Sequence, residues 1–294
     1  MSNHAGYVER NAHAKLNLAL NIIPERSERG YFKVDFLNTS ISLHDTVRIT
    51  PLREPEFLIN EPVVDGGANI ALEAARLVFQ RYGLSGGVSI DVKKRIPPRS
   101  GLGGGSSDAA AVMRGIMKLH GIKSSHQERM RLAQTIGMDV CYCITGGLCR
   151  IGGTGNVVDR VHATFFPIHL LVAVPAQKKP STGWAYSLLR EEEIGNNRES
   201  TVHLIREMQM KNVKNIAHYL HNDFENPVSQ TFPVVRELKD LMKAHGALNA
   251  LLAGSGLGVF GVFDDENTCR KAEKTISSLG YFCVPAHTVQ NDES

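Results

Sequence analysis

Residues 101–108, Gly-Leu-Gly-Gly-Gly-Ser-Ser-Asp, have the composition of a backbone that must come close to a ligand. Six of the eight are glycine or serine. Gly101, Gly103, Gly104 and Gly105 carry no Cβ and can turn their N–H groups inward. Ser106 and Ser107 have side chains suited to capping a following helix, where free amides carry the positive end of its dipole. Together these favour the binding of an anion, with phosphate the natural candidate. The plainer alternative is a flexible glycine loop in front of a surface helix. A strand before the loop and a helix after it favour phosphate.

Three other places carry residues able to do chemistry. In residues 12–22, alternation puts Leu16, Leu18 and Leu20 on one face of a strand. Lys15, Asn17, Ala19 and Asn21 share the other face, so Lys15 and Asn17 point the same way. Read alone, such a strand turns its polar face to water. Asp139, in Gly-Met-Asp-Val at 137–140, reads by itself as a turn residue at a helix end. In residues 247–263 two apolar arms flank Gly-Ser-Gly-Leu-Gly at 254–258, the pattern of a hairpin with a glycine turn. Gly256, Gly258 and Gly261 formally fit a dinucleotide fingerprint, but a strand follows where that fingerprint needs a helix.

The elements that must position these groups follow from periodicity. Residues 88–93 alternate as a strand, and 107–120 form a helix with Val112, Met113, Ile116 and Leu119 on one face. The spacing predicts strands at 34–43 and 47–50, with a turn at His-Asp-Thr, 44–46. It predicts a helix over 69–82, capped by Asn69 and stopped by Gly83, with Ile70, Ala74, Leu77 and Val78 inward. Another helix spans 125–136, capped by Ser124 or Ser125. Residues 148–151 and 156–158 read as a strand pair, and 167–175 as a buried strand opening a new unit. Ser181 or Thr182 caps a further helix, and 191–199 reads as an exposed charged loop. Helices are expected near 200–210, 213–220, 232–245 and 267–279, with a last strand at 280–285. These assignments place a domain boundary near 160, giving domains 1–160 and 161–294.

Composition narrows the function. The 294 residues can form two domains, and 42% hydrophobic with 21% charged residues is ordinary for a globular protein. Thirty-three Lys plus Arg nearly balance thirty Asp plus Glu, so no global field draws in nucleic acid or membrane. The N-terminus lacks the apolar core of a signal peptide, and the apolar run at 169–174 is far too short to cross a bilayer. Cys141, Cys143, Cys149, Cys269 and Cys283 read as reduced, half-buried thiols of a cytoplasmic protein, because no Cys/His pair completes a metal site.

Set side by side, Ala-Lys-Leu-Asn at 14–17, residues 98–108 and residues 250–260 resemble, in order, the three motifs of the GHMP small-molecule kinases. The triple glycine and double serine are most similar to the branch acting on a cytidyl-diphospho-methylerythritol. The resemblance spans nearly the whole chain. It implies an α+β fold with an S5-like N-terminal domain and a split-βαβ C-terminal domain. The implied function is ATP-dependent phosphorylation of a small alcohol, here the 2-hydroxyl of that cytidyl compound. In this reading Pro98, Gly101, Gly103, Gly104, Gly105, Ser106, Ser107 and Asp108 hold ATP, and Ser106 or Ser107 ligates Mg²⁺. Asp139 accepts the proton of the hydroxyl, and Lys15 lies beside it. Asn17, Tyr31, Phe32, Gly254, Ser255 and Gly256 contact the acceptor. Several positions depart from the pattern: Phe32 stands where the branch has a base-contacting histidine, Arg29 where it has an acid, residues 33–37 where it has Leu-x-Thr, and Cys141 where it has a proline. Phe32 and Cys141 keep open a related kinase of a different isoprenoid or sugar-like alcohol. A non-catalytic nucleotide-binding protein on the same fold would lack the lysine or the carboxylate. The implied partners are ATP and the alcohol, without nucleic acid or membrane, in a monomer or homodimer.

Overall fold

A computed structural model describes residues 6–60 and 69–290. The N-terminal residues 1–5 and the polar tail 291–294 lie outside the described residues. In chain order the elements begin with β1 (Val8–Arg26), β2 (Phe32–Leu52), β3 (Phe57–Asn60), α1 (Ile70–Tyr82) and β4 (Gly87–Lys93). There follow α2 (Gly104–Leu119), α3 (His126–Ile136), α4 (Met138–Thr145), β5 (Cys149–Gly152), β6 (Val157–Arg160) and β7 (His169–Val174). The remainder is α5 (Thr182–Ser187), α6 (Glu199–Met210), α7 (Val213–His218), β8 (His221–Asn222), α8 (Glu225–Thr231) and α9 (Val234–Ala244). It closes with β9 (Asn249–Leu252), β10 (Val259–Phe263), α10 (Glu266–Ser278) and β11 (Phe282–Val289). The mixture of helices and sheet is that of an α+β protein.

The chain divides into two compact units that interleave in sequence. The first comprises Met1–Ala14, Leu43–Pro98 and Gly103–Thr145. In it the second half of β2 pairs antiparallel with β4, from Thr46 opposite Lys93 to Leu52 opposite Gly87. β3 adds to β4 in parallel. Helix α1 packs on α2, and α2 on α4, through a core of Ala74, Val78, Val112, Met113 and Ile116. Asn69 caps α1 by accepting from Ala71 and Leu72, and Gly83 ends it at φ +61°. Ser125 and Glu128 form a reciprocal capping box on α3.

The second unit comprises Lys15–Ser42, Arg99–Leu102 and Gly146–Ser294. Its sheet runs β11-β7-β10-β9, antiparallel throughout. Helices α9 and α10 pack against it. β11 also pairs with β2 at Ile41 and Ser40, β5 joins β2 at Phe36 to Asn38, and β8 lies parallel to β1. The core strands β7 and β10 are buried on both faces, which explains their continuous apolar runs.

Two points of the sequence reading are corrected. No turn interrupts residues 44–46; β2 runs through them. Asp45 is fully buried, yet its carboxylate accepts from the amides of Arg95 (2.5 Å) and Ile96 (2.8 Å). A residue that normally favours a turn is thus satisfied by the end of β4, and the strand continues. Strand β3 and helix α8 carried no clear periodicity and were not expected. The polar face of β1 is not in water: Lys15 is 6% exposed, Asn17 1% and Asn21 0%. Among the described residues no helix is long and apolar enough to cross a membrane.

Candidate active site

In the first unit the glycine run is organised by where α2 begins. The helix starts at Gly104, three residues earlier than expected, and Gly103 is its N-cap at φ +71° without a side-chain cap bond. Ser106 and Ser107 therefore lie inside the first turn and are not caps. The left-handed Gly103 makes the early start possible, because an L side chain is strained there. The first bond of the helix is Ser107 N–H to the Gly103 carbonyl (2.9 Å). The amides of Gly104, Gly105 and Ser106 precede it and have no acceptor among the described residues. They form the positive end of a sixteen-residue helix, where an anion is favoured.

Behind these amides the loop is fixed by an ion-pair cluster. Lys94, the residue after β4, reaches Asp45 (2.6 Å) and Asp108 (2.5 Å), both essentially without solvent exposure. Burial lowers the proton affinity of Lys94, but Asp108 and Asp45 outweigh it and raise the pKa above the usual lysine value. Asp108 thus anchors the first turns of α2 to β4. The Ser107 hydroxyl donates to the His13 carbonyl (2.6 Å), while Ser106 remains half-buried. Pro98 is exposed in the turn before the loop, beside Arg99 in the left-handed region at φ +59°.

Asp139 lies in the same unit, on the first turn of α4 rather than in a turn. Gly137, extended at φ 174°, ends α3, and the chain re-enters a helix because Val140, Cys141 and Ile144 have an apolar site to fill. Asp139 faces solvent and has no hydrogen-bond or ion-pair partner among the described residues. Cys141 is fully buried, and burial pushes its thiol up to about 11.

The second unit collects the remaining residues around β1 and the β9–β10 turn. Lys15 Nζ donates to Asn17 Oδ1 (2.7 Å), and Asn17 Nδ2 donates to Asn38 Oδ1 (2.6 Å). The Lys15 amide bonds the Leu102 carbonyl (2.9 Å), tying β1 to the residues that lead into the glycine run. Gly254, at φ +55°, is so close that a Cβ there would stand 3.2 Å from Lys15 Nζ and 3.3 Å from Asn17 Oδ1. Gly101 lies against Ala253, and Gly256 against Ser100, close enough that a Cβ on either would overlap a carbonyl oxygen. Gly258 N–H completes the contact on the Ser100 carbonyl (3.0 Å). The expected hairpin is present, with Leu252 opposite Val259. Glycines of the second and third motifs are therefore required by each other.

Tyr31 is 63% exposed. Phe32 is half-buried, stacked on Tyr186 with centroids 6.3 Å apart, and covered by the Arg26 guanidinium at 3.7 Å. Three supporting residues were not legible as such. Asn38 sits in an apolar strand pattern. Lys179, 5% exposed, donates to the Ser255 carbonyl (2.6 Å) and hydroxyl (2.8 Å) from the loop between β7 and α5. Asn222 holds the carbonyls of Leu252 (2.9 Å) and Gly254 (2.8 Å). A separate cavity of about 290 Å³ in this unit, lined by Thr39, Arg160, His162 and Phe165 among others, contains none of the expected site residues.

A helix N-terminus offering open amides suits a phosphate group, and a buried lysine held by the Asn17 amide beside a glycine turn offers positive charge. Comparison with known proteins agrees. Residues 69–147 match the GHMP kinases N terminal domain, and 201–281 match the GHMP kinases C terminal domain. The chain belongs to the GHMP kinase family, ATP-dependent phosphotransferases that act on alcohols. It is 34% identical to the 4-diphosphocytidyl-2-C-methyl-D-erythritol kinase of Acetivibrio thermocellus, over 95% of this chain and 98% of that one. It is 35% identical to the kinase of the same name from Bacillus licheniformis, over 95% of each. A crystal structure of 4-(cytidine 5'-diphospho)-2C-methyl-D-erythritol kinase superposes with a TM-score of 0.82 at 28% identity, covering 97% of this chain and all of that one. The homoserine kinase of Cytophaga hutchinsonii, at 15% identity and a TM-score of 0.75, covers 99% of this chain and 97% of its own and shares the fold.

Proposed function

We propose that this kinase transfers the γ-phosphoryl group of ATP to the 2-hydroxyl of 4-diphosphocytidyl-2-C-methyl-D-erythritol, as the names of its near full-length relatives suggest. The observation that carries the reading is the open N-terminus of α2, with the amides of Gly104, Gly105 and Ser106 unspent. Phosphoryl transfer asks mainly for positioning and charge neutralisation, and these amides supply both for the β- and γ-phosphates. Gly101 and Gly103 let the backbone turn toward the nucleotide, and Asp108 serves it indirectly through Lys94.

Asp139 is the base that takes the hydroxyl proton, and its exposure in the free protein leaves it available to a substrate. Lys15 supplies positive charge to the transferred group and the developing alkoxide. Asn17 and the Gly254–Ser255–Gly256 turn hold the acceptor, and Tyr31 offers an exposed ring for its base. Mg²⁺, when bound, would be held by the hydroxyls of Ser106 or Ser107 and would supply positive charge against the phosphates. The donors here suit it, being hard hydroxyl oxygens at Ser106 and Ser107. Ser107 is buried at 3% exposure whereas Ser106 is half-buried, so Ser106 is the readier ligand. Buried free thiols at Cys141, Cys143, Cys149 and Cys269 accord with a cytoplasmic enzyme.

The test is ATP consumption across a panel of isoprenoid and sugar alcohols that includes the cytidyl compound and its uridyl analogue. Turnover should be confined to the diphospho-nucleoside substrates. Because Phe32 has no hydrogen-bonding group for a base edge, the uridyl analogue should be rejected only weakly. Turnover of another alcohol with the cytidyl compound ignored would refute this assignment.

A further inference from the structure

Asn38 lies outside the three motifs, yet it ends a chain of buried side-chain amides that begins at the ammonium of Lys15. Lys15, Asn17 and Asn38 are 6%, 1% and 2% exposed. Among the described residues Lys15 has no carboxylate within ion-pair distance, and its Nζ is held by the Asn17 carbonyl oxygen alone. The Asn17 side chain has one accepting end and one donating end. Its donating end is taken by Asn38 Oδ1 at 2.6 Å, which leaves the accepting end facing Lys15. Were the amide reversed, its NH₂ would point at an ammonium, and two donors would face each other in a buried place.

We infer that Asn38 is a positioning residue for the Lys15 ammonium, acting through the orientation of Asn17. The inference rests on the proposed role of Lys15 in phosphoryl transfer. The chain of contacts lies wholly within the second unit, and it runs from the middle of β2 to β1. Gly254 keeps this place clear, since a Cβ there would stand 3.2 Å from Lys15 Nζ and 3.3 Å from Asn17 Oδ1. A lysine on a flexible stem, held by one neutral acceptor, depends on that acceptor for its place.

The experiment measures kcat and KM for ATP and the cytidyl substrate, with thermal melting, in Asn38→Leu, Asn38→Ser, Asn38→Asp, Lys15→Met and the Lys15→Met/Asn38→Leu double variant. Asn38→Leu and Asn38→Ser should each lower kcat about 10- to 100-fold with KM for ATP unchanged, the effect of losing an outer partner that orients a reacting group. Asn38→Ser keeps the site small and polar, so the reading survives if the leucine variant fails to fold. Asn38→Asp retains the accepting oxygen and should recover most of kcat. In the double variant Asn38→Leu should add nothing to the loss caused by Lys15→Met. A nearly inactive Lys15→Met beside Asn38 variants of normal kcat and lowered melting temperature would overturn the relay alone. Additive losses in the double variant would overturn it as well. Normal turnover in Lys15→Met would overturn the role of Lys15 and the relay with it.

Discussion

Gly256 rests on Ser100 so closely that a Cβ at 256 would overlap the Ser100 carbonyl oxygen. The third glycine motif and the residues leading into the second are in backbone contact, and the Gly258 N–H to Ser100 bond fastens them. Gly256→Ala must push two backbones apart. It should cost about 1–3 kcal/mol of stability, the range for overpacking a close-fitted site. Urea unfolding measures this. A variant as stable as the parent would show that the contact is looser than the structure has it.

At the N-terminus of α2, a Cβ on Gly104 would stand 3.0 Å from the Ile96 side chain and 3.5 Å from Lys94 Nζ. Gly104→Val should therefore abolish ATP binding, both by blocking the approach of phosphate and by disturbing the Lys94 cluster. Arg99→Ala, in the exposed turn before the loop, should weaken binding far less. Isothermal titration with a non-hydrolysable ATP analogue separates the two, and equal affinities would move the nucleotide elsewhere.

Asp139→Asn removes a base and leaves the shape of α4 intact. Turnover should fall by at least about 10²-fold with ATP affinity little changed, the range for loss of a general base. Steady-state kinetics with saturating ATP provide the measurement. Near-normal kcat would exclude Asp139 as the base.

The buried thiols predict an alkaline loss of stability. Burial raises Cys149 and Cys269 from 9.0 to about 12 and Cys141 to about 11. Their folded pKa lies above the unfolded one, so the contribution is complete below pH 9 and fades as pH rises through about 11 to 12. The urea midpoint should fall between pH 9 and 11. Cys149→Ala should flatten that fall by one proton, about 1.4 kcal/mol per pH unit. An unchanged slope would place the titration in other groups.

Local chemistry determined much of this protein. Helices α1 and α3 begin at the asparagine and serine that the spacing names, because a cap acts on amides two or three residues away. The β9–β10 hairpin and its glycine turn were equally legible, since two apolar arms around glycines have few other uses. Motif order alone announced the family. The tertiary structure decided what depends on partners distant in sequence. Asp45 reads as a turn until two amides fifty residues on satisfy it, and Ser106 and Ser107 read as caps until Gly103 starts the helix before them. Lys15 and Asn17, on a strand that read alone has a wet face, are buried, and Asn17 donates to Asn38, twenty-one residues beyond it. A pattern reports which side chains share a face, and only the folded chain determines whether that face meets water or a buried amide.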